Sequence, residues 1–146
     1  MNQEAADPFD VDTFLAQPLI ARVATAGPSV RPVWYLWEED QFWWLTGSYA
    51  KLPRILAQQP RIALVIDTCD LTTGTVRQVT VWGDAEVVAF DAQRARRKLV
   101  RYLGPDEDAW DERFNIDELA RDPGASFVRL APQRLVAKDL SFRPNC

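Results

Sequence analysis

The residues best suited to chemistry lie in one stretch, Arg31 to Lys51, reading RPVWYLWEEDQFWWLTGSYAK. Thr46 closes a strand-like run, Ser48 follows in a small polar loop, and Lys51 opens a helix-like segment with Arg54 close behind. Hydroxyls, cations and the unpaired N–H groups of a helix start suit a phosphate. A lysine at a helix start opposes the helix dipole, and an anion bound there would account for it. An ordinary solvated lysine is the competing reading. Beside this loop runs an aromatic ribbon: Trp34, Tyr35, Trp37, Phe42, Trp43 and Trp44. It could line a flat ring, fill a barrel or face a second subunit. A ligand that joins a ring to a phosphate, such as a flavin nucleotide, would use both features. Further on, Gln78, Thr80 and Trp82 share one face of a strand. Gln78 could hydrogen-bond the polar edge of a heterocycle or stand as an exposed sheet residue.

Composition narrows the chemistry further. The chain has no histidine. That excludes Ser-His-Asp and Cys-His catalysis, His-ligated zinc or non-haem iron, and a proximal-histidine haem. The net charge of −4 gives no basic footprint for nucleic acid. Cys69 and Cys146 have no metal or redox spacing, so a reducing, cytoplasmic setting is expected. The first ten residues are acidic and polar rather than signal-like, and no apolar run is long enough to span a membrane. The acidic cluster Asp106–Asp108 with Asp111 and Glu112 lacks EF-hand spacing and reads as a solvated loop. Chemistry is left to carboxylates, Lys, Tyr, Cys or an organic cofactor; Tyr35, Tyr49 or solvent could supply a proton.

The elements that must position these residues are mostly strands. The 146 residues suit a single domain, 1–146. Asp12 can cap a helix over 13–17. Strands are expected over 19–25, 30–37 and 41–46, the last two as a hairpin across Glu38-Glu39-Asp40. Ser48 can cap a helix over 49–59, with Pro53 tolerated in its first turn. A buried strand covers 61–68. The longest strand signal, 76–90, carries Gly83 as a bulge or bend. Asp91 caps a basic helix, 92–103, with Leu99, Val100 and Leu103 as its apolar stripe. Short helical turns are expected over 110–119, and 126–130 with 135–139 read as a closing hairpin. The fold class is mainly β with flanking helices, a six- to seven-stranded antiparallel split β-barrel.

Taken in order, Arg31-Pro32-Val33-Trp34, Leu45-Thr46, Lys51, Pro60-Arg61 before a strand, and Arg77-Gln78-Val79 with Gly83 resemble the pyridoxamine 5'-phosphate oxidase-like, FMN-binding split-barrel family. The AKDLSF tail is similar to small members of that family. The resemblance implies an FMN-dependent oxidoreductase that transfers hydride to a small substrate. The deazaflavin F420 is the alternative cofactor, and a non-catalytic cofactor carrier the alternative role. It implies that Arg31 and Lys51 hold the cofactor phosphate with Thr46 and Ser48 nearby. The backbone of Pro32, Val33, Trp34 and Leu45 would run along the ring. Gln78 would face the ring across the interface of a homodimer, with no nucleic-acid or membrane partner. The family's vitamin B6 oxidases carry a C-terminal Arg-x-His element for the substrate phosphate. This chain has Arg143 near its end and no histidine.

Overall fold

The computed structural model describes residues 6–145; the readings of the first five residues and of Cys146 lie outside them. Eight strands form one antiparallel sheet: β1 (Ile20–Thr25), β2 (Ser29–Trp34), β3 (Leu36–Glu38), β4 (Gln41–Gly47), β5 (Arg61–Asp70), β6 (Thr75–Ala89), β7 (Ala125–Leu130) and β8 (Arg134–Asp139). Their order is β2-β1-β5-β6-β7-β4-β3, with β8 also on β6. Helices α1 (Val11–Leu15), α2 (Leu52–Gln58), α3 (Ala92–Leu103) and α4 (Ile116–Arg121) flank it, with a 3-10 turn at Glu107–Ala109. The curled sheet is the split barrel expected from sequence, with one strand more than expected.

The extra strand arises at Tyr35. The run expected over 30–37 breaks there, and its halves go to opposite ends of the sheet. The Tyr35 N–H donates to the Tyr102 hydroxyl at 3.0 Å, and its carbonyl accepts from Arg101 at 2.9 Å. Side chains of α3 thus take both backbone groups that a ladder would use. Tyr35 is the corner at which the chain closes the barrel.

Strand β6 is the shared member. Its first part, Arg77–Trp82, pairs with β8, and its second, Ala85–Ala89, pairs with β7. The two last strands are therefore not a hairpin with each other, as expected from sequence; each finds a partner on β6. Gly83 sits at the changeover. A Cβ there would lie 2.8 Å from the Ala131 carbonyl and 2.9 Å from Leu130 Cδ1, so the link between β7 and β8 needs a glycine beneath it.

Inward-facing residues build the main core: Val23, Tyr35, Phe42, Trp44, Leu64, Ile66, Val79, Val81, Val128 and Leu130, closed by Phe14 and Leu15 of α1 and Leu52 and Leu56 of α2. A second cluster joins Leu36, Trp43 and Phe127 to Ala95 of α3. Asp91 caps α3 by accepting from Gln93 and Arg94 N–H, as expected. The buried face of α3 is Ala95, Lys98 and Leu99; Val100 and Leu103 are half-buried. Spacing at i, i+3 and i+4 turns this face to the sheet. Arg94 and Arg97 both bind the Glu38 carboxylate, and the Arg94 guanidinium lies 3.4 Å over Trp43.

Three other boundaries differ. Asp10, not Asp12, caps α1 through Thr13 N–H, while Asp12 accepts from the Trp37 indole at 2.9 Å. Helix α2 starts at Leu52, not 49, because 47–50 close a turn in which Ala50 N–H donates to Gly47 O. Helical structure expected over 110–119 is confined to Ile116–Arg121, capped by Asn115.

Candidate functional site

The β3–β4 ladder pairs Leu36 with Trp43, Trp37 with Phe42 and Glu38 with Gln41, and then stops. Beyond it the two strands remain close but unpaired, so the facing edges of β2 and of Trp44–Gly47 are open. Strand β2 lies beside this part of β4 without a ladder between them. This opening is the split of the barrel. Backbone N–H and C=O groups along an unpaired edge need partners.

The side chains sort onto two faces. Thr46 lies on the inner face with Phe42 and Trp44, two and four residues back. Arg31 faces the same way, since its cross-strand partner is the buried Val23. Its guanidinium donates to Ser29 Oγ at 3.0 Å and Thr25 Oγ1 at 3.5 Å, leaving Nε buried without an acceptor. The Thr46 hydroxyl, on a residue only 4% exposed, also lacks a partner. Trp34 and Leu45 face α3 instead. Trp34 stacks on Tyr102 at 4.5 Å and Phe114 at 5.5 Å, and Leu45 packs on the second core cluster. Their side chains are packing elements, and only their backbone borders the opening.

The loop after β4 carries the cations. Ser48 is exposed and does not cap α2; its N–H donates to Gly124 O at 3.1 Å. A Cβ on Gly124 would lie 2.2 Å from Ser48 Oγ, and one on Gly47 would meet the Tyr49 ring and Gly124 O. The loop and the 122–124 turn therefore approach too closely for a side chain at Gly47, where the obstacle is backbone, whereas at Gly124 it is the movable Ser48 hydroxyl. The sequence shows the turn at Asp122-Pro123-Gly124 but not that it braces this loop. Lys51 stands at the cap position of α2, exposed, with no side-chain capping bond. Neither Lys51 nor Arg54 has an ion-pair or hydrogen-bond partner among the described residues.

A phosphoryl group fits this donor set: two buried polar atoms without partners, a free hydroxyl and two uncommitted cations. The other buried guanidinium Nε atoms without acceptors belong to engaged groups. Arg77 lies 3.7 Å from Asp139, and Arg101 donates to the Tyr35, Leu15 and Gln17 carbonyls.

Two expected residues stand apart. Gln78 lies on the outer face of β6, where its neighbours across the ladder are Asp67 and Lys138 and its amide donates to Thr80 Oγ1 at 3.3 Å. Within one chain it does not join the opening. Tyr35 is fully buried and its hydroxyl donates to Leu15 O at 3.0 Å. Burial pushes its phenol far above the usual range. It is a corner post, not a proton donor. Tyr49, 74% exposed beside the loop, remains accessible. Among the described residues no group of three His, Cys, Asp or Glu side chains could hold a metal, and no helix is long and apolar enough to cross a membrane.

An antiparallel barrel split between β2 and β4, with an anion-suited loop at the split, defines a class of cofactor-binding barrels. The family model described as pyridoxamine 5'-phosphate oxidase matches residues 10–138, and the chain belongs to this split-barrel family. A search of curated proteins finds no significant match. Among solved structures, a conserved hypothetical protein of Mycobacterium tuberculosis superposes with a TM-score of 0.68 at 18% identity, covering 94% of this chain and 90% of that one. An FAD-binding protein of Mesorhizobium loti gives 0.59 at 17% identity, covering 91% and 96%. An F420 reductase gives 0.58 at 16% identity, covering 88% and 97%. At these identities the likeness is one of fold.

Proposed function

We propose that this chain is a flavin-type oxidoreductase that binds FMN, or F420 in its place, at the opening between β2 and β4. The observation that carries this reading is that Arg31 and Thr46, on the two strands bordering that opening, each keep a buried polar atom unmatched, with Lys51 uncommitted at the start of α2. The cofactor, when bound, supplies hydride transfer. The chain's own residues bind and orient: Arg31, Lys51, Thr46 and Ser48 hold the phosphate, and the open edges of Pro32–Trp34 and Leu45 border the ring. Gln78 faces outward, so its role requires a second subunit. A homodimer would form through the outer sheet face, where Pro32, Arg22, Val65, Thr80 and Val136 make one cross-strand row beside Gln78. Vitamin B6 is not the proposed substrate, because the histidine of that recognition element is missing.

The test is a visible-absorbance titration of the purified protein with FMN and with F420. Micromolar binding of at least one is expected, and binding of neither sinks the proposal. Sedimentation at the same concentrations tests the dimer.

The burial of Tyr35 favours a second reading, a cofactor carrier that turns over nothing. It leaves Tyr49 or solvent as the proton source. Reduced cofactor would be offered quinones, linear tetrapyrroles and nitro compounds. Turnover well above that of free cofactor supports the enzyme.

A further inference from the structure

The chain has six tryptophans, and their indole N–H groups fall into three sets. Trp37 donates to Asp12, Trp43 to the Glu38 carbonyl at 3.1 Å, and Trp110 to the Gly104 carbonyl at 2.9 Å. Trp34 and Trp82 are half-buried, within reach of water. Trp44 is different: the residue is 1% exposed, and its Nε1 is buried without an acceptor. An indole nitrogen can only donate, and leaving a buried donor unmatched costs about 1–3 kcal/mol.

Its place on β4 says what could match it. Trp44 and Thr46 are two apart on one strand, so both point to the inner face. Across the ladder Thr46 pairs with Ser126, whose hydroxyl shares that face. On the other side β4 borders β2, whose Arg31 also faces inward. The orphaned Trp44 donor thus continues, one step inward, the line of unpartnered polar groups that begins at the barrel's split. The ribbon's other buried members, Tyr35 and Trp43, have their polar atoms engaged.

We infer that the Trp44 indole N–H is an additional donor to the phosphoryl group bound at the β2–β4 opening, reaching it from inside the barrel. This inference rests on the reading of that opening as a phosphate site. It gives the site an inner wall of Trp44, Thr46 and Ser126 opposite the outer cations Lys51 and Arg54. A phosphoryl group would then be held from two sides, with the neutral donors of the inner wall adding to the charge of Arg31. Such a wall distinguishes phosphorylated from unphosphorylated ligands, because riboflavin offers there only a neutral hydroxyl in place of an ionised acceptor.

The experiment follows the indole N–H signals of uniformly nitrogen-15-labelled wild-type protein during titration with FMN, riboflavin, F420 and inorganic phosphate. Binding of each is measured in parallel by absorbance or calorimetry. The Trp44 signal is assigned by its loss in Trp44→Phe. It should move downfield as FMN or F420 saturates, and stay still with riboflavin. A shift with inorganic phosphate alone would place the interaction on the phosphoryl group itself. Trp44→Phe should weaken FMN about tenfold and leave riboflavin unchanged. If FMN binds while the Trp44 signal stays fixed, or riboflavin moves it equally, the inference is overturned and the proposed function stands. If neither FMN nor F420 binds, the proposed function falls and the inference with it. If Trp44→Phe fails to fold, triple-resonance assignment of the wild-type protein identifies the Trp44 signal, and the same shifts decide the matter.

Discussion

Two sides of the barrel carry arginines and lysines under opposite conditions. Where α3 meets β3, nearly every cation has a partner. Arg94 and Arg97 share Glu38, and Arg101 ties Tyr35, Leu15 and Gln17 to the helix. The two arginines hold the Glu38 carboxyl below its ordinary range, Arg97 contributing most. At the β2–β4 opening, Lys51 and Arg54 have no side-chain partner among the described residues, and Thr46 and Trp44 each keep their only side-chain polar atom buried and unmatched. Charges that hold a fold are answered within the chain. Charges that await a ligand are not, and the difference is visible before any ligand is known.

That contrast can be broken from either side, and three substitutions rank by expected effect on stability. Arg101→Met should be the most damaging. It frees three carbonyls at the barrel's corner and should cost about 2–4 kcal/mol, read as a lower urea midpoint with an unchanged slope.

Next is the exception on the α3 side. Lys98 is 5% exposed on the buried face of α3 and, among the described residues, has no acid to pair with. Burial, then the charge of Arg101, lowers its amine to about 8. Between that value and the unfolded value near 10.5, the unfolded chain holds more protons than the folded one. This group's contribution therefore raises stability with pH across that window, and below about pH 8 the full cost of burying the ammonium remains. Lys98→Met should stabilise by about 2–3 kcal/mol at pH 7 and flatten the rise between pH 8 and 10. Urea titrations at both ends of that range would show it, and a destabilised variant would mean that Lys98 has a partner.

The smallest effect on stability belongs to Lys51→Glu, within about 0.5 kcal/mol, since the side chain is exposed and unengaged. The same variant should weaken FMN or F420 by about thirtyfold or more, seen in the absorbance titration. A large loss of stability with unaltered binding would reverse the roles assigned to the two sides.

The architecture was legible where periodicity is strong. The alternating 61–68 and 76–90 runs, Asp91 as a cap and the short acidic hairpin all follow from local patterns. Tyr35 was not legible as a break, because Tyr102 and Arg101 stop the strand from more than 60 residues away. The last two strands looked like a hairpin because each alternates; only β6, long enough for both, decides otherwise. At the site, the inward-facing sides of Arg31 and Thr46 follow from strand alternation and could be read from the sequence. The unmatched state of Trp44 could not, because every tryptophan in the ribbon looks alike until the acceptors around it are placed.

Strand β6 has a kinetic consequence. Its pairing with β5 closes through a short turn at 71–74, while Trp44 must find Val128, 84 positions along the chain. Loop closure over that span is entropically late, so the β5–β6 hairpin is the natural nucleus and β7 and β8 condense on it from either side of Gly83. Ile66→Val should slow folding, whereas Val128→Ala should chiefly hasten unfolding, in stopped-flow measurements. The order of assembly would then leave the β2–β4 opening among the last parts to take shape.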